Sequence, residues 1–255
     1  MLLEVTGLTK HFGGVAAAKE VTFNVGEGEI IALIGPNGAG KTTVFNLITG
    51  LLEPDQGSVV FQGKALNGLK PHRIAAAGIT RTFQNLQLFG KMSVLENVMT
   101  GAYLKGNTGF LQAIARWPAS IGEEKRIKQE ALGLLSEVGL EEQASLPAAT
   151  LPFGQQRLLD IARSMASNPQ LTLLDEPAAG LNSAETKVLA EYLKYLRSRG
   201  KSMVLVEHDM ETVMEVADRV MVLNFGMAIA MGTPSEIQAD PEVIKAYLGE
   251  DEQVA

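Results

Sequence analysis

The chain has 255 residues, of which 46% are hydrophobic, so it can bury a large core and is too apolar to be disordered. Its 29 acidic and 22 basic residues give a formal net charge of −7, which disfavours non-specific binding of nucleic acid. The absence of cysteine excludes disulfides, thiolate metal sites and cysteine catalysis. We see no secretory leader and no apolar run of the roughly 20 residues that cross a membrane, so we expect a cytoplasmic chain.

The first third of the chain alternates short apolar runs with glycine-containing turns, a pattern typical of strands. Four strands are predicted, at residues 2–8, 15–25, 29–34 and 58–62. The third run is continuously apolar towards its end, as in a central strand buried on both faces, and a helix is predicted to follow from Gly40. A strand, loop and helix unit is therefore expected here.

Strand signals disappear between about residues 92 and 166, where a helical subdomain is predicted. One helical face carries the apolar residues Ile127, Ala131, Leu134, Leu135 and Val138. Residues 106–122 have no clear period and are predicted to be irregular or to form a short helix.

Later apolar runs at residues 171–174, 203–206 and 220–223 alternate with helical patterns, which predicts a mainly parallel sheet with helices on its faces. Thr233 and Glu236 fit a capping box ahead of Ile237 and predict a further helix start.

A glycine-rich segment follows the buried strand and matches the pattern G-x-x-x-x-G-K-S/T. Its residues are Gly35, Pro36, Asn37, Gly38, Ala39, Gly40, Lys41, Thr42 and Thr43. Glycines let successive backbone N–H groups surround a phosphate, and the helix N-terminus adds partial positive charge. We expect Lys41 to reach the β- and γ-phosphates of a nucleotide and Thr42 to ligate Mg²⁺.

Two acidic residues, Asp175 and Glu176, end the apolar run at residues 171–174. A nucleotide with bound metal needs a carboxylate at the end of a neighbouring strand, and Asp175 is predicted to hold Mg²⁺ through water. Adjacent strand residues point to opposite sides, so Glu176 is predicted to polarise the water that attacks the γ-phosphate.

Further motifs resemble those of the ATP-binding cassette (ABC) family in order and spacing along nearly the whole chain. Gln84 in Thr82-Phe83-Gln84-Asn85 resembles the Q-loop glutamine of that family, and His208 resembles its switch histidine. Gly180-Leu181-Asn182 resembles the D-loop, and the segment Leu151, Pro152, Phe153, Gly154 and Gln155 resembles the signature motif. Residues 35–50, 81–88, 175–182 and 232–249 more narrowly resemble the LivG-type subunits of branched-chain amino acid importers.

The resemblance implies an α/β fold, a P-loop NTPase ABC cassette with a RecA-like core, an N-terminal antiparallel β portion and an inserted helical subdomain. Residues 1–91 and 167–232 are expected to form the catalytic core with the β portion. Residues 92–166 are expected to form the helical subdomain, and residues 233–255 a C-terminal tail.

The resemblance also implies ATP and Mg²⁺ as cofactors and assigns roles to single residues. Gln84 and His208 join Glu176 as catalytic residues, and Gln84 joins Thr42 and Asp175 at the metal. The neutral amide of Gln84 can contact Mg²⁺ or the attacking water and release it, while His208 can hydrogen-bond the γ-phosphate. Phe12, 23 residues before Gly35, stands where the family stacks an aromatic ring on adenine. A buried core phenylalanine is the alternative.

The signature-like segment departs from the common L-S-G-G-Q form, because Pro152 replaces the serine and Phe153 the first glycine. Pro152 therefore lacks the hydroxyl that could contact the γ-phosphate directly. Gly154 and Gln155 still open a helix whose N-terminal amides can face an anion. We interpret the change as a mark of the subgroup.

In the family, two cassettes pair head to tail, and each ATP lies between the phosphate loop of one and the signature of the other. The second cassette is expected to be identical or LivF-like. Membrane permease subunits are further expected partners, with a solute-binding protein acting indirectly and no nucleic acid. The chain is then peripheral, at the cytoplasmic face of the inner membrane. Leu86, Leu88, Phe89 and Met92 form either a groove for a permease helix or ordinary core.

Three rival functions stay open at this point. The first is an ABC ATPase for another solute, the second is an ABC ATPase that acts on DNA or ribosomes without transport, and the third is a non-hydrolytic nucleotide-binding scaffold. The negative charge and the single cassette weigh against the nucleic-acid role, and Glu176 weighs against the scaffold.

Overall fold

The computed structural model describes residues 1–102 and 118–248. Met1–Arg81 and Gln170–Ala255 form one compact unit, and Thr82–Pro169 form a second. The sequence-based division at residues 91, 166 and 232 stays a prediction. Most of the segment predicted to be irregular, residues 106–122, lies outside the described residues.

The strands are numbered in chain order. They are β1 (Leu3–Phe12), β2 (Val15–Val25), β3 (Ile30–Ile34), β4 (Gln56–Phe61), β5 (Lys64–Ala65), β6 (Ile79–Arg81), β7 (Leu171–Asp175), β8 (Ser202–Val206), β9 (Arg219–Asn224) and β10 (Met227–Gly232). The helices are α1 (Lys41–Ile48), α2 (Pro71–Ala77), α3 (Val94–Ala102), α4 (Pro118–Glu137), α5 (Phe153–Met165), α6 (Ser183–Ser198), α7 (Met210–Val216), α8 (Pro234–Ala239) and α9 (Pro241–Leu248). A 3₁₀ helix spans Ala148–Thr150.

The first unit contains a four-stranded antiparallel sheet in the order β2-β1-β4-β5. Strand β1 buries Leu3, Val5 and Leu8, and β4 buries Val59 and Phe61. These side chains join one apolar core with residues of β3 and α1. The expected N-terminal antiparallel portion is confirmed.

The same unit contains a six-stranded sheet in the order β10-β9-β3-β8-β7-β6. Strands β9, β3, β8, β7 and β6 pair in parallel, and β10 closes the edge as an antiparallel partner of β9. All residues of β3, β7 and β8 are buried. The predicted mainly parallel sheet is confirmed, while β6 and β10 were not predicted.

Helix starts in this unit follow local capping chemistry. Thr233 and Glu236 form the predicted capping box at α8, with the Thr233 side chain accepting from the backbone N–H of Glu236. Asn182 and Glu185 form a second box at α6. Within residues 1–102 and 118–248, no helix is both long and apolar enough to span a bilayer.

The described part of the second unit is helical. Its core is formed by residues of α3, α4, α5 and the loops between them, including Val94, Val98 and Leu159. On the predicted face of α4, Ile127, Ala131 and Leu135 are buried. The predicted helical insertion is therefore confirmed as a separate apolar core.

Candidate active site

Strand register brings three loops to one edge of the six-stranded sheet. Leu33 of β3 pairs with Val206 of β8, and Val206 also pairs with Asp175 of β7. The strands are parallel, so the loops that follow them leave the sheet at the same level. The glycine-rich loop, Glu176 and His208 are thus gathered in the first unit.

The backbone of the glycine-rich loop needs glycine at two positions. Gly35 has a φ of 145°, and a Cβ added there would lie 2.0 Å from the carbonyl oxygen of Leu223. Gly40 has a φ of 100°, and a Cβ there would lie 2.1 Å from the carbonyl oxygen of Ala17. A side chain at either position would displace the loop from strand β9 or β2. The sequence pattern therefore encodes the curled shape itself.

The start of α1 is arranged for a negative ligand. Its N-cap residue, Gly40, makes no side-chain cap, and the first turn carries no acidic residue. Lys41 is buried, and its Nζ donates to the carbonyl oxygens of Gly35 at 2.5 Å and Pro36 at 2.8 Å. The ammonium group is therefore held over the loop, where helix N–H groups and positive charge together fit a polyphosphate.

Glu176 and His208, which lie 32 positions apart in the sequence, meet in the structure. The Nε2 atom of His208 lies 2.7 Å from Oε1 of Glu176. Glu176 has a φ of 48°, and its backbone N–H donates to the carbonyl oxygen of Val206 at 2.9 Å. A non-glycine residue in this region costs about 1–3 kcal/mol, and such strain is concentrated at functional sites. A carboxylate and an imidazole in contact can hold and move a proton.

Glu207 is a buried residue that the sequence reading missed. Its carboxylate accepts from the backbone N–H of Ala178 at 2.6 Å and from that of His208 at 3.1 Å. It joins the loops after β7 and β8, the two loops that carry Glu176 and His208. Burial raises the pKa of Glu207, although the backbone N–H groups that it accepts from act in the opposite direction.

Arg81 is a second residue that the sequence reading missed. At the end of β6, its Nη2 donates to Oδ2 of Asp175 at 2.7 Å, and both side chains are 7% exposed. Strand β6 has only three residues, so no periodicity marked it. The candidate metal carboxylate, Asp175, is thus in contact with a buried cation.

Phe12 lies at the end of β1 and is 49% exposed. The alternative of a buried core phenylalanine is therefore excluded. Nζ of Lys10 lies 6.0 Å from the centre of the ring. Much of the ring remains open to a stacking partner.

The remaining predicted residues lie in the second unit. Gln84 is exposed, and its carbonyl oxygen accepts from Nη2 of Arg157 at 3.2 Å. Pro152 is the N-cap of α5 without a side-chain cap, and the first turn carries no acidic residue. Phe153 is 45% exposed and Gly154 is buried. The signature-like segment therefore opens a helix as predicted, with its first N–H groups free of a side-chain cap.

The candidate metal ligands of the first unit are oxygen atoms, which bind a hard cation such as Mg²⁺ better than they bind metals that prefer histidine or cysteine. The hydroxyl-bearing Thr42 is exposed in the first turn of α1, and Asp175 ends β7. Among residues 1–102 and 118–248, no group of three or more His, Cys, Asp or Glu could hold a metal by itself. A cation would then be shared between these donors and the phosphates of a nucleotide.

A glycine loop after β3, a buried lysine at the start of α1 and acidic residues at the end of β7 define a P-loop nucleotide-binding cassette. The family model described as ABC transporter matches residues 18–179, and the chain belongs to this family. Its members include the nucleotide-binding ATPase subunits of transporters. A further model, described as branched-chain amino acid ATP-binding cassette transporter, matches residues 229–253.

The chain is similar over nearly its full length to named transport proteins. It is 46% identical over 250 residues to the high-affinity branched-chain amino acid transport ATP-binding protein BraF of Pseudomonas aeruginosa. It is 43% identical over 250 residues to the corresponding protein LivG of Escherichia coli K12, and each alignment covers 98% of both chains. The ADP conformation of an ATP-binding cassette of an ABC transporter superposes with a TM-score of 0.85 at 30% identity, covering 97% of this chain and 98% of that one. The expected family and fold are confirmed.

Proposed function

We propose that the chain is the ATP-hydrolysing subunit of an importer for branched-chain amino acids. The similarity to BraF and LivG spans 98% of the chain, and a branched-chain amino acid model matches the C-terminal residues 229–253. The general ABC transporter model matches residues 18–179 and the branched-chain amino acid model matches residues 229–253. The second match therefore supports this solute class in particular.

The contact between Glu176 and His208 is the observation on which the proposed hydrolysis rests. Glu176 accepts a proton from the water whose oxygen attacks the γ-phosphorus, and the bond from that phosphorus to the oxygen bridging the β-phosphate breaks, so that ADP leaves. His208, whose Nε2 lies 2.7 Å from Oε1 of Glu176, holds this carboxylate beside the γ-phosphate. Lys41 and the N–H groups of the loop bind the β- and γ-phosphates. Phe12 stacks on the adenine.

Mg²⁺ would be held by Thr42 and Asp175 of the first unit, and it would neutralise the phosphate charge that develops in the reaction. Asp175 is fixed at the end of β7 by the hydrogen bond from Arg81. Gln84, which lies in the second unit, stays a predicted ligand whose neutral amide can be withdrawn without leaving a charge behind.

Assembly with other subunits completes the proposal. A second cassette, identical or LivF-like, contributes the N-terminus of its own α5 opposite the phosphate loop. Permease subunits hold the pair at the cytoplasmic face of the membrane and receive solute from a binding protein.

Phe89, which is 53% exposed, and Phe83, which is 44% exposed, offer apolar contact to a permease helix. Leu88 packs partly into the core of the second unit instead.

Transport by the reconstituted complex tests the proposal. Proteoliposomes that contain the chain, its partner cassette and the permease subunits should take up leucine when supplied with ATP and the solute-binding protein. Ribose, which has no branched aliphatic chain, should not enter under the same conditions. ATP hydrolysis that is unaffected by leucine, without leucine uptake, would contradict the assignment of the solute.

A further inference from the structure

Arg81 and Asp175 share one face of the sheet because of strand register. Arg81 pairs with Leu173 across β6 and β7, and Asp175 lies two residues beyond Leu173 on the same strand. Side chains two apart on a strand point to the same side. The Arg81 side chain thus runs along the sheet to Asp175, and Nη2 meets Oδ2 at 2.7 Å.

The guanidinium group of Arg81 is also fixed by α1, the helix that begins at Lys41. Its Nη1 donates to Oδ1 of Asn46 at 2.6 Å, and its central carbon lies 5.5 Å from the centre of the Phe45 ring. The side chains of Arg81 and Asp175 are each 7% exposed, so solvent screens their charges little. Arg81 is therefore a permanent positive charge that is held in place beside Asp175.

A fixed cation at this place has two opposing consequences for a divalent metal. It balances the charge of a buried carboxylate, which would otherwise be costly to leave unpaired. It also repels any second cation that approaches Asp175, because Coulomb repulsion at short range is strong where water is largely excluded. The second effect bears on metal binding, since Mg²⁺ carries two positive charges.

We propose that Arg81 is the internal counter-cation of Asp175 and that it weakens the affinity of the site for Mg²⁺. This inference rests on the proposed role of Asp175 at the metal. With the carboxylate already neutralised by Arg81, Mg²⁺ binds firmly only when nucleotide phosphates add their negative charge. Arg81 is thus a positioning residue that makes metal binding depend on nucleotide binding.

The test is the Mg²⁺ concentration needed for half-maximal tight binding of fluorescent ADP by the full-length subunit. Arg81→Gln, which removes the charge, should lower that concentration at least tenfold. Arg81→Lys, which keeps the charge, should stay within about threefold of the wild type. Arg81→Met, whose apolar stem can still contact Phe45, serves as a second neutral variant if Arg81→Gln does not fold.

Arg219→Gln is the matched control for the loss of an arginine from an ion pair. Arg219 donates from Nε to Oε1 of Glu29 at 2.5 Å in the same unit. This control is expected to change thermal stability without changing the Mg²⁺ requirement. A purely structural role for Arg81 predicts the same behaviour for Arg81→Gln, and an unchanged or increased Mg²⁺ requirement in the neutral variants would overturn the inference.

Asp175→Asn separates the inference from the proposed function. If Asp175→Asn leaves the Mg²⁺ requirement at the wild-type value, the metal role of Asp175 is wrong and the inference is overturned with it. If Asp175→Asn greatly increases the requirement while neutral substitutions of Arg81 do not lower it, the metal role stands and the inference alone is wrong.

Discussion

Substitution of Lys41 by alanine should weaken ATP binding more than it destabilises the fold. The ammonium group is buried, with 6% of the residue exposed, and it already lies over the loop through bonds to the carbonyl oxygens of Gly35 and Pro36. Two opposite unit charges 4 Å apart interact by about 4 kcal/mol at an effective dielectric constant of about 20. Part of this is offset, because Lys41 exchanges its carbonyl partners for phosphate oxygens.

A net loss of about 3 kcal/mol in binding free energy follows, which corresponds to roughly a hundredfold weaker ATP affinity. Loss of the two carbonyl hydrogen bonds should cost about 2 kcal/mol of the free energy of unfolding, because each bond from a charged donor contributes about 1.5–3 kcal/mol and removal of the buried ammonium group relieves part of its desolvation cost. Calorimetric titration with ATP and thermal unfolding of the same samples measure the two quantities separately.

Lys194→Ala is the matched control for the loss of a lysine. Lys194 pairs with Glu215 at 2.7 Å on the surface, with 43% of its side chain exposed. Its removal should leave ATP affinity unchanged. An ATP dissociation constant for Lys41→Ala within about threefold of the wild type, together with a lower unfolding temperature, would refute the assignment of Lys41 to the phosphates.

Four further substitutions test other parts of the molecule. Phe12→Ala should weaken nucleotide binding by about 1–3 kcal/mol with little change in unfolding temperature. Unchanged nucleotide affinity with a lower unfolding temperature would show that the ring stabilises the fold and does not bind the base. Phe89→Asp should reduce co-purification with the permease while the subunit stays folded, whereas Leu88→Asp should destabilise the second unit by several kcal/mol; equal effects of the two would argue against the proposed surface. Because burial raises the pKa of Glu207 above the usual 4.5, the folded state binds more protons, and stability should fall as pH rises from about 4.5 through the raised value. Glu207→Gln should flatten this dependence in chemical unfolding experiments, and an unchanged slope would contradict it.

The sequence could predict the part of the site that a local pattern determines, but not the part that depends on long-range strand pairing. The loop around Lys41 was predictable because a buried strand, glycines and a lysine follow one another within a short segment. Strand β6 was not, because three residues carry no periodicity. The contact between Arg81 and Asp175 joins positions 94 residues apart and depends on the register of β6 against β7.

The exposure of side chains and the strain of the backbone could not be predicted from the sequence either. Phe12 and Phe45 have the same side chain, yet Phe12 is 49% exposed and Phe45 is fully buried. The left-handed φ of Glu176 and the contact of its side chain with His208 are set by where β7 and β8 end. Local propensity does not contain this information, since tertiary packing decides it.

The turnover of Glu176→Gln is the most direct test of the central claim that Glu176 activates water for ATP hydrolysis. The measurement is single-turnover hydrolysis of ATP by the complete transporter complex, with ATP binding determined on the same preparation. The account predicts near wild-type ATP affinity with hydrolysis slowed at least a hundredfold, because the amide cannot accept the proton of the attacking water. Hydrolysis within a few fold of the wild-type rate would contradict it.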